Sequence, residues 1–254
     1  MNDIFPAPLL TVGNVRTCRI IRRLNRFVVR VQIQGKGHLA HINNTGRLQE
    51  FLIEGRTAYC FKTERGRVTD CRLFAVEEAG LGALIDTQLQ MKAFERMVEG
   101  EALPWLEGYR IQKRNPRLGE SRLDYLLTNE STEIYLEVKS AVLRGGDFAM
   151  YPDCPTSRGQ RHVMELTRHA RKGGKAVIVF MAALPQVTGF KPHQDADPVL
   201  HELLKKAKSE GVSVKAVGLY YNPKDSSIHL FNPDLRIDLQ SGSSFDKLGR
   251  SKIK

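Results

Sequence analysis

The chain has no apolar run approaching the roughly 18 residues that cross a bilayer, and no N-terminal segment in which basic residues lead into an apolar stretch. Both absences point to the cytoplasm. The four cysteines, Cys18, Cys60, Cys71 and Cys154, form no Cys-x-x-Cys pair and have no histidine at zinc-site spacing, so reduced thiols are expected. Aromatic residues make up 7 % of the chain, with one Trp, which disfavours a site built to stack on sugar rings. No glycine-rich loop of the kind that cradles nucleotide phosphates is present either.

What the chain has instead is positive charge. Its 39 Lys and Arg outnumber 28 Asp and Glu, a formal charge of +11. That excess favours a polyanionic partner, because each neutralised phosphate releases a counterion; the competing reading is a solvated basic surface. Residues 1–85 hold 13 Lys and Arg against 7 Asp and Glu, so the excess is densest at the N-terminus. Arg16, Arg19, Arg22, Arg23, Arg26 and Arg30 fall in one short stretch, and all are the side chain better shaped for bidentate phosphate contacts. Arg47, Arg122, Arg158 and Arg161, beside the motifs below, join them as candidate nucleic-acid contacts.

At 254 residues the chain is one large domain or two small ones. Short apolar runs at 18–24, 27–33, 38–42, 57–61 and 71–76 alternate with polar turns, the strand count of an OB barrel. Gly35-Lys36-Gly37 reads as a hairpin turn, and Asn43-Asn44-Thr45-Gly46 as a loop needing positive φ. An OB barrel suits single-stranded or distorted nucleic acid; Phe27, Tyr59 and Phe61 are either its stacking aromatics or its core. From residue 84 to 99 the apolar spacing turns helical and Gly100 reads as its stop. Strand-like runs at 109–112, 123–127 and 134–138 follow, then a helix over 159–171, a strand over 176–181, a helix over 198–210 and a strand over 212–220. This order predicts an α/β mixed sheet flanked by helices. The division is therefore an all-β domain over 1–83, a second domain over 84–240 and a frayed tail over 241–254.

Ser121-Arg122-Leu123-Asp124 opens one predicted strand and Glu137-Val138-Lys139 closes the next. If the two form an antiparallel hairpin, both carboxylates meet at one edge of the sheet. Hard oxygen donors so placed suit Mg²⁺ or Mn²⁺, with the Val138 carbonyl as a third ligand. Glu137 and Lys139, two apart in a strand, share a face, which brings an ammonium beside the metal to hold the attacking water and offset phosphate charge. The acid-x-Lys triplet alone is a weak signal; its setting between hydrophobic strands strengthens it, and the competing reading is an exposed strand-end ion pair.

The chain resembles the sugar fermentation stimulation protein family. The matching stretches are His41-Ile42-Asn43-Asn44-Thr45-Gly46-Arg47, Ser121-Arg122-Leu123-Asp124, Tyr135-Leu136-Glu137-Val138-Lys139-Ser140, Tyr151-Pro152-Asp153, and Ser157-Arg158-Gly159-Gln160-Arg161-His162 with Glu165-Leu166. That resemblance implies an N-terminal OB-fold domain, a second domain similar to PD-(D/E)xK, or restriction-endonuclease-like, nucleases, DNA binding without marked sequence preference, and a regulatory link to sugar (maltose) metabolism. It puts the metal carboxylates on Asp124 and Glu137 and the catalytic lysine on Lys139. Leu123 replaces the motif's proline, at no cost in ligands, and Ile42-Asn43 replaces a Cys-Pro, which removes a thiol from the loop. Glu95 in the first helix is either a further ligand, by analogy with related nucleases, or a solvated helix-face glutamate.

At the start of the 159–171 helix, free backbone N–H groups already favour anions. Arg158, Gln160, Arg161 and His162 gather there, and Gln160 is counted with the catalytic residues; otherwise Gln160 packs and His162 lies on the surface. Asp153 either closes the site or starts a turn. The hypotheses carried forward are a Mg²⁺-dependent nuclease acting on DNA, a DNA-binding regulator without turnover, and a sugar-related protein. The last leaves the charge unexplained. Cutting both strands of a duplex would call for a homodimer.

Overall fold

The structure is a computed structural model of the chain and describes residues 8–62 and 68–240. The expected tail lies outside the described residues. The N-terminal half contains β1 (Leu10–Thr11), β2 (Val15–Arg23), β3 (Val28–Ile33), β4 (Lys36–His41), β5 (Thr57–Lys62), β6 (Cys71–Glu78) and β7 (Leu81–Leu84). In β3 the alternation is complete, with Val29, Val31 and Ile33 inward and Arg30 and Gln32 outward. Strand β2 pairs antiparallel with β3 and β5, β3 with β4, and β5 with β6. A short parallel pairing, Ala40 opposite Cys71, closes the five strands into the OB barrel. The β3–β4 turn lies one residue earlier than expected: Gln34 and Gly35 are its two central residues, both at positive φ, as the right-handed strand twist demands. The 43–46 loop does not take the expected positive φ either; the left-handed position there is Leu48, and the asparagine side chains shape the loop through hydrogen bonds.

The second half runs α1 (Thr87–Glu99), β8 (Arg110–Arg114), β9 (Arg117–Leu118), β10 (Ser121–Arg122), β11 (Tyr125–Thr128), β12 (Glu133–Ser140), β13 (Leu143–Gly145), β14 (Phe148–Tyr151), α2 (Ser157–Arg171), β15 (Lys175–Ala182), β16 (Gly189–Pro192), α3 (Pro198–Ser209), β17 (Ser213–Asn222), β18 (Ser227–Asn232) and β19 (Arg236–Ile237). Its central sheet is mixed, in the order β17-β15-β12-β11-β8, parallel across the first three strands and antiparallel across the last three. The β15 core, buried at seven of eight positions, fits a strand covered on both faces. Tyr125, opposite Leu136, meets Phe94 of α1, whereas Tyr135 meets His169 of α2. Neighbouring residues of a strand point to opposite faces, so α1 covers one face and α2 the other. The result is a mixed sheet flanked by helices on both faces.

Three further features differ from the sequence reading. Residues 81–84 form β7, and α1 starts only at Thr87, because Asp86 caps it by accepting from Leu89 N at 2.8 Å. The strands β13, β14, β16 and β19 make a separate small sheet. The barrel sheet also continues into the second: Tyr221 of β17 lies opposite Gly82 of β7, and Leu84 N donates to Ala183 O at 2.9 Å. Among the described residues no helix is long and apolar enough to cross a membrane.

Gly82 is where the two sheets meet. A Cβ there would stand 2.9 Å from Tyr221 Cδ1, and the Tyr221 ring is wedged against Tyr59 and Phe74 at centroid distances of 5.0 and 4.8 Å. Gly82→Ala is therefore expected to cost about 1–3 kcal/mol in urea unfolding. Gly13→Ala, with nothing within 4 Å of the added carbon, should stay within about 0.5 kcal/mol of the parent. Equal effects at the two positions would refute the close-approach account.

Candidate active site

Strands β11 and β12 form an antiparallel hairpin, and Asp124 immediately precedes β11. Its Oδ2 accepts from Val138 N at 2.8 Å. A strand residue presents its N–H and C=O to the same side, so the Val138 carbonyl opens towards Asp124 as well. Glu137 is 3 % exposed and points to the α2 face. Its Oε1 is shared by two donors at 2.5 Å each, Lys139 Nζ and His162 Nδ1. Its Oε2 is buried and has no hydrogen-bond partner among the described residues.

His162 is 2 % exposed. Its Nε2 lies 3.4 Å from Arg158 Nε, which can only donate, so the assigned tautomer carries its proton on Nδ1 and gives it to Glu137. Lys139 and His162 then act together on one oxygen of Glu137 and leave the other free. Burial by itself resists ionisation of Glu137, but the Lys139 charge and the His162 hydrogen bond outweigh it, and its carboxyl is held below the ordinary range. Burial works the other way on Asp124: desolvation first, then the Glu137 charge, push its carboxyl up to about 7 against the opposing Val138 N–H and Lys139. Burial also opposes the charge on Lys139, yet Glu137 holds its ammonium above the ordinary value.

The structure thus gathers Asp124, Glu137, Val138 and Lys139 and adds His162. The sequence leaves His162 either an anion contact or a surface residue, yet Gly159, His162, Val163 and Leu166 are all buried along one stripe of α2. That i, i+3, i+4, i+7 spacing is the signal that places His162 against the sheet. Gln160 lies off the stripe and is not brought to this group: its Nε2 donates to Asp197 at 2.9 and 3.1 Å, tying α2 to the capping residue of α3. Glu95 holds Arg114 through two bonds, 2.7 and 3.0 Å, and accepts from the Tyr125 hydroxyl; Arg114 keeps its carboxyl below the ordinary range. Asp153 accepts from Leu48 N at 3.2 Å and joins the barrel loop to the second domain.

Among the arginines, Arg158 and Arg161 are exposed at the first turns of α2, and Arg122 is exposed on β10, two residues before Asp124. Arg16, Arg19, Arg22, Arg26, Arg30 and Arg47 are exposed on or near the barrel. Arg23 is spent internally: its guanidinium donates to the carbonyls of Asn25, Arg26, Gly46 and Arg47.

Residues 21–85 match the family model described as the SfsA N-terminal OB domain, and residues 88–225 match the sugar fermentation stimulation protein RE domain. A sugar fermentation stimulation protein homolog from Pyrococcus furiosus is 53 % identical over 212 residues, 84 % of this chain and 92 % of the relative. One from Archaeoglobus fulgidus is 43 % identical over 229 residues, 90 % and 98 % of the two chains. The structure of Pyrococcus furiosus SfsA in complex with Ca²⁺ superposes with a TM-score of 0.87 at 48 % identity, covering 92 % of this chain and 100 % of that one.

The raised Asp124 carboxyl has a consequence for stability. An unfolded aspartate titrates near 3.8 and the folded one near 7, so between these values the native state holds the extra proton. Stability is then highest below about pH 4 as far as this group is concerned, and falls as pH rises to about 7. In EDTA, Asp124→Asn should remove that limb, making the variant more stable than the parent at pH 8 by about 1–4 kcal/mol, with little difference at pH 4. Urea midpoints across this range that run parallel for the two proteins would refute the shift.

Proposed function

This chain belongs to the sugar fermentation stimulation protein family, and from that membership and the acid site of its second half we propose that it is a DNA-binding protein that hydrolyses phosphodiester bonds with Mg²⁺ or Mn²⁺. The observation that carries the proposal is the free, buried Oε2 of Glu137 beside Asp124. A buried carboxylate oxygen without a donor is costly unless a cation meets it. Two carboxylates and the Val138 carbonyl are hard oxygen donors and fit a small divalent ion; the Pyrococcus furiosus relative was solved with Ca²⁺, which has the same donor preference. Held there, such an ion supplies Lewis acidity toward a phosphoryl oxygen and a water acidified toward neutral pH.

The chain's own groups do the rest. Lys139, fixed by Glu137, offers an ammonium to the charge that develops on the phosphate. His162 orients Glu137 through Nδ1 and so keeps Oε2 turned to the site. Arg158 and Arg161, exposed at the positive end of α2, grip phosphate oxygens. The barrel's exposed Arg22 and Arg30, opposite each other on β2 and β3, add backbone contacts.

One observation favours a second reading, a regulator without turnover. Among the described residues no group of three His, Cys, Asp or Glu side chains is placed to hold a metal, so the donor set is lean.

Labelled DNA and RNA, single- and double-stranded, incubated with Mg²⁺ or Mn²⁺ should be cut. Asp124→Ala and Lys139→Ala should each lower the rate by about 10²–10⁴-fold with binding kept. Binding of every substrate with cleavage of none would leave the regulator. Independently, Arg22→Ala with Arg30→Ala should weaken binding evenly across sequences and flatten the slope of log affinity against log salt by about two; an unchanged slope would take the barrel face out of the contact.

A further inference from the structure

The two domains enclose a cleft of about 430 Å³. One wall is the barrel loop over residues 44–51. The other comes from Ser140, residues 142–143 and the segment 150–156. Ser140 directly follows Lys139 on β12. Tyr151 also lies close to the site: burial raises its phenol, and the Lys139 ammonium opposes that rise. The cleft therefore opens against the same strand end that carries Glu137 and Lys139.

Its walls are already formed. Arg23 pins the carbonyls of Gly46 and Arg47, Asn44 Nδ2 donates to Ile85 O at 3.1 Å, and Gly46 N donates back to Asn44 Oδ1 at 3.0 Å. At the contact point a Cβ on Gly46 would stand 2.5 Å from Asp153 Oδ2, so a larger residue there would have to displace the Asp153 carboxylate. The acids of the lining are engaged, Asp153 by Leu48 N and Glu50 by Arg144 N. Arg26 and Arg47 are exposed on the rim and have no ion-pair partner among the described residues. Inside, Phe51, Val142 and Met150 are apolar. A cationic rim over an apolar interior fits a base and sugar below a phosphate.

Size decides which nucleic acid can enter. A cavity in the range of about 300–1,000 Å³ takes a small molecule or one nucleotide. A duplex, whose major groove alone is about 12 Å wide, does not fit. We propose that the interdomain cleft receives one unpaired nucleotide of the strand being cut, so that the protein selects single-stranded or frayed nucleic acid over intact duplex. This rests on the nucleic-acid reading above and adds its substrate class. The physical ground is that an unpaired base enters without loss of stacking and pairing, whereas a paired one must first be extracted, at a cost of a few kcal/mol.

Cys154 lines the cleft and is half-buried, whereas Cys18, Cys60 and Cys71 are buried. The full chain is alkylated at pH 8.5 in EDTA, alone or saturated with a single-stranded DNA oligonucleotide or with the blunt duplex of the same sequence. The single strand is expected to slow Cys154 modification about tenfold, the duplex hardly at all. Protein already capped with N-ethylmaleimide at Cys154 should bind the single strand about tenfold more weakly, the worth of one base's contacts, and the duplex as before. Cys154→Ser, which cannot be capped, should keep its affinity through the same treatment. Equal protection by both polymers, or tight single-strand binding with Cys154 as reactive as in the free protein, overturns the cleft. Protection without cleavage of any substrate removes the phosphodiesterase and leaves the cleft; cleavage without protection does the reverse. No binding of either polymer overturns both.

Discussion

A single buried carboxylate, Asp86, sets how the barrel meets the rest of the molecule. It caps α1, forms an ion pair with Arg72 of β6, and accepts from Asn43 Nδ2 at 3.1 Å. A charge at 1 % exposure is tolerated only when it is paired and hydrogen-bonded, so loop, strand and helix are fixed relative to one another by a common need. Asn43 and Asn44 are consumed in that junction. The residues after them, Thr45 to Arg47, are thereby delivered to the second domain, where Asp153 receives the loop.

The acid site works by contrast. Two carboxylates lie on adjacent strands, both largely removed from water, and their environments push them apart: Glu137 is kept charged by Lys139 and His162, whereas Asp124 has one backbone N–H and a neighbouring negative charge. Such a split is common where groups must occupy different protonation states near neutral pH. It also leaves the pair one oxygen that no group among the described residues satisfies.

Much of this was legible in the sequence because it is local. The period-2 alternation of β3, the hairpin carrying Asp124 and Glu137, and the shared face of Glu137 and Lys139 depend on residues close in the chain. What was hidden depends on distant partners. The small sheet of β13, β14, β16 and β19 is assembled from strands of two to four residues whose apolar content is too brief to show a period, and the register by which β4 closes on β6 joins residues some thirty apart in the chain. Leu84 reads as the start of the helix; its pairing with Ala75 of β6 makes it the end of a strand instead. Arg23 and Arg22 look alike in sequence, yet one is bound by four carbonyls and the other is exposed. On α2, the phase of the apolar stripe puts His162 and not Gln160 in the sheet-facing position, a signal present in the sequence that the choice of Gln160 passed over.

Hydrogen-bonded strand pairing runs from the barrel through β7 and β17 to β8 without a break. Divided near residue 85, each half would carry away a raw edge, with backbone donors and acceptors free to template the wrong partner. The halves are therefore poor cassettes: a recombination joint placed between them severs a sheet rather than a linker, and the pair is constrained to be inherited, folded and cleared as one piece.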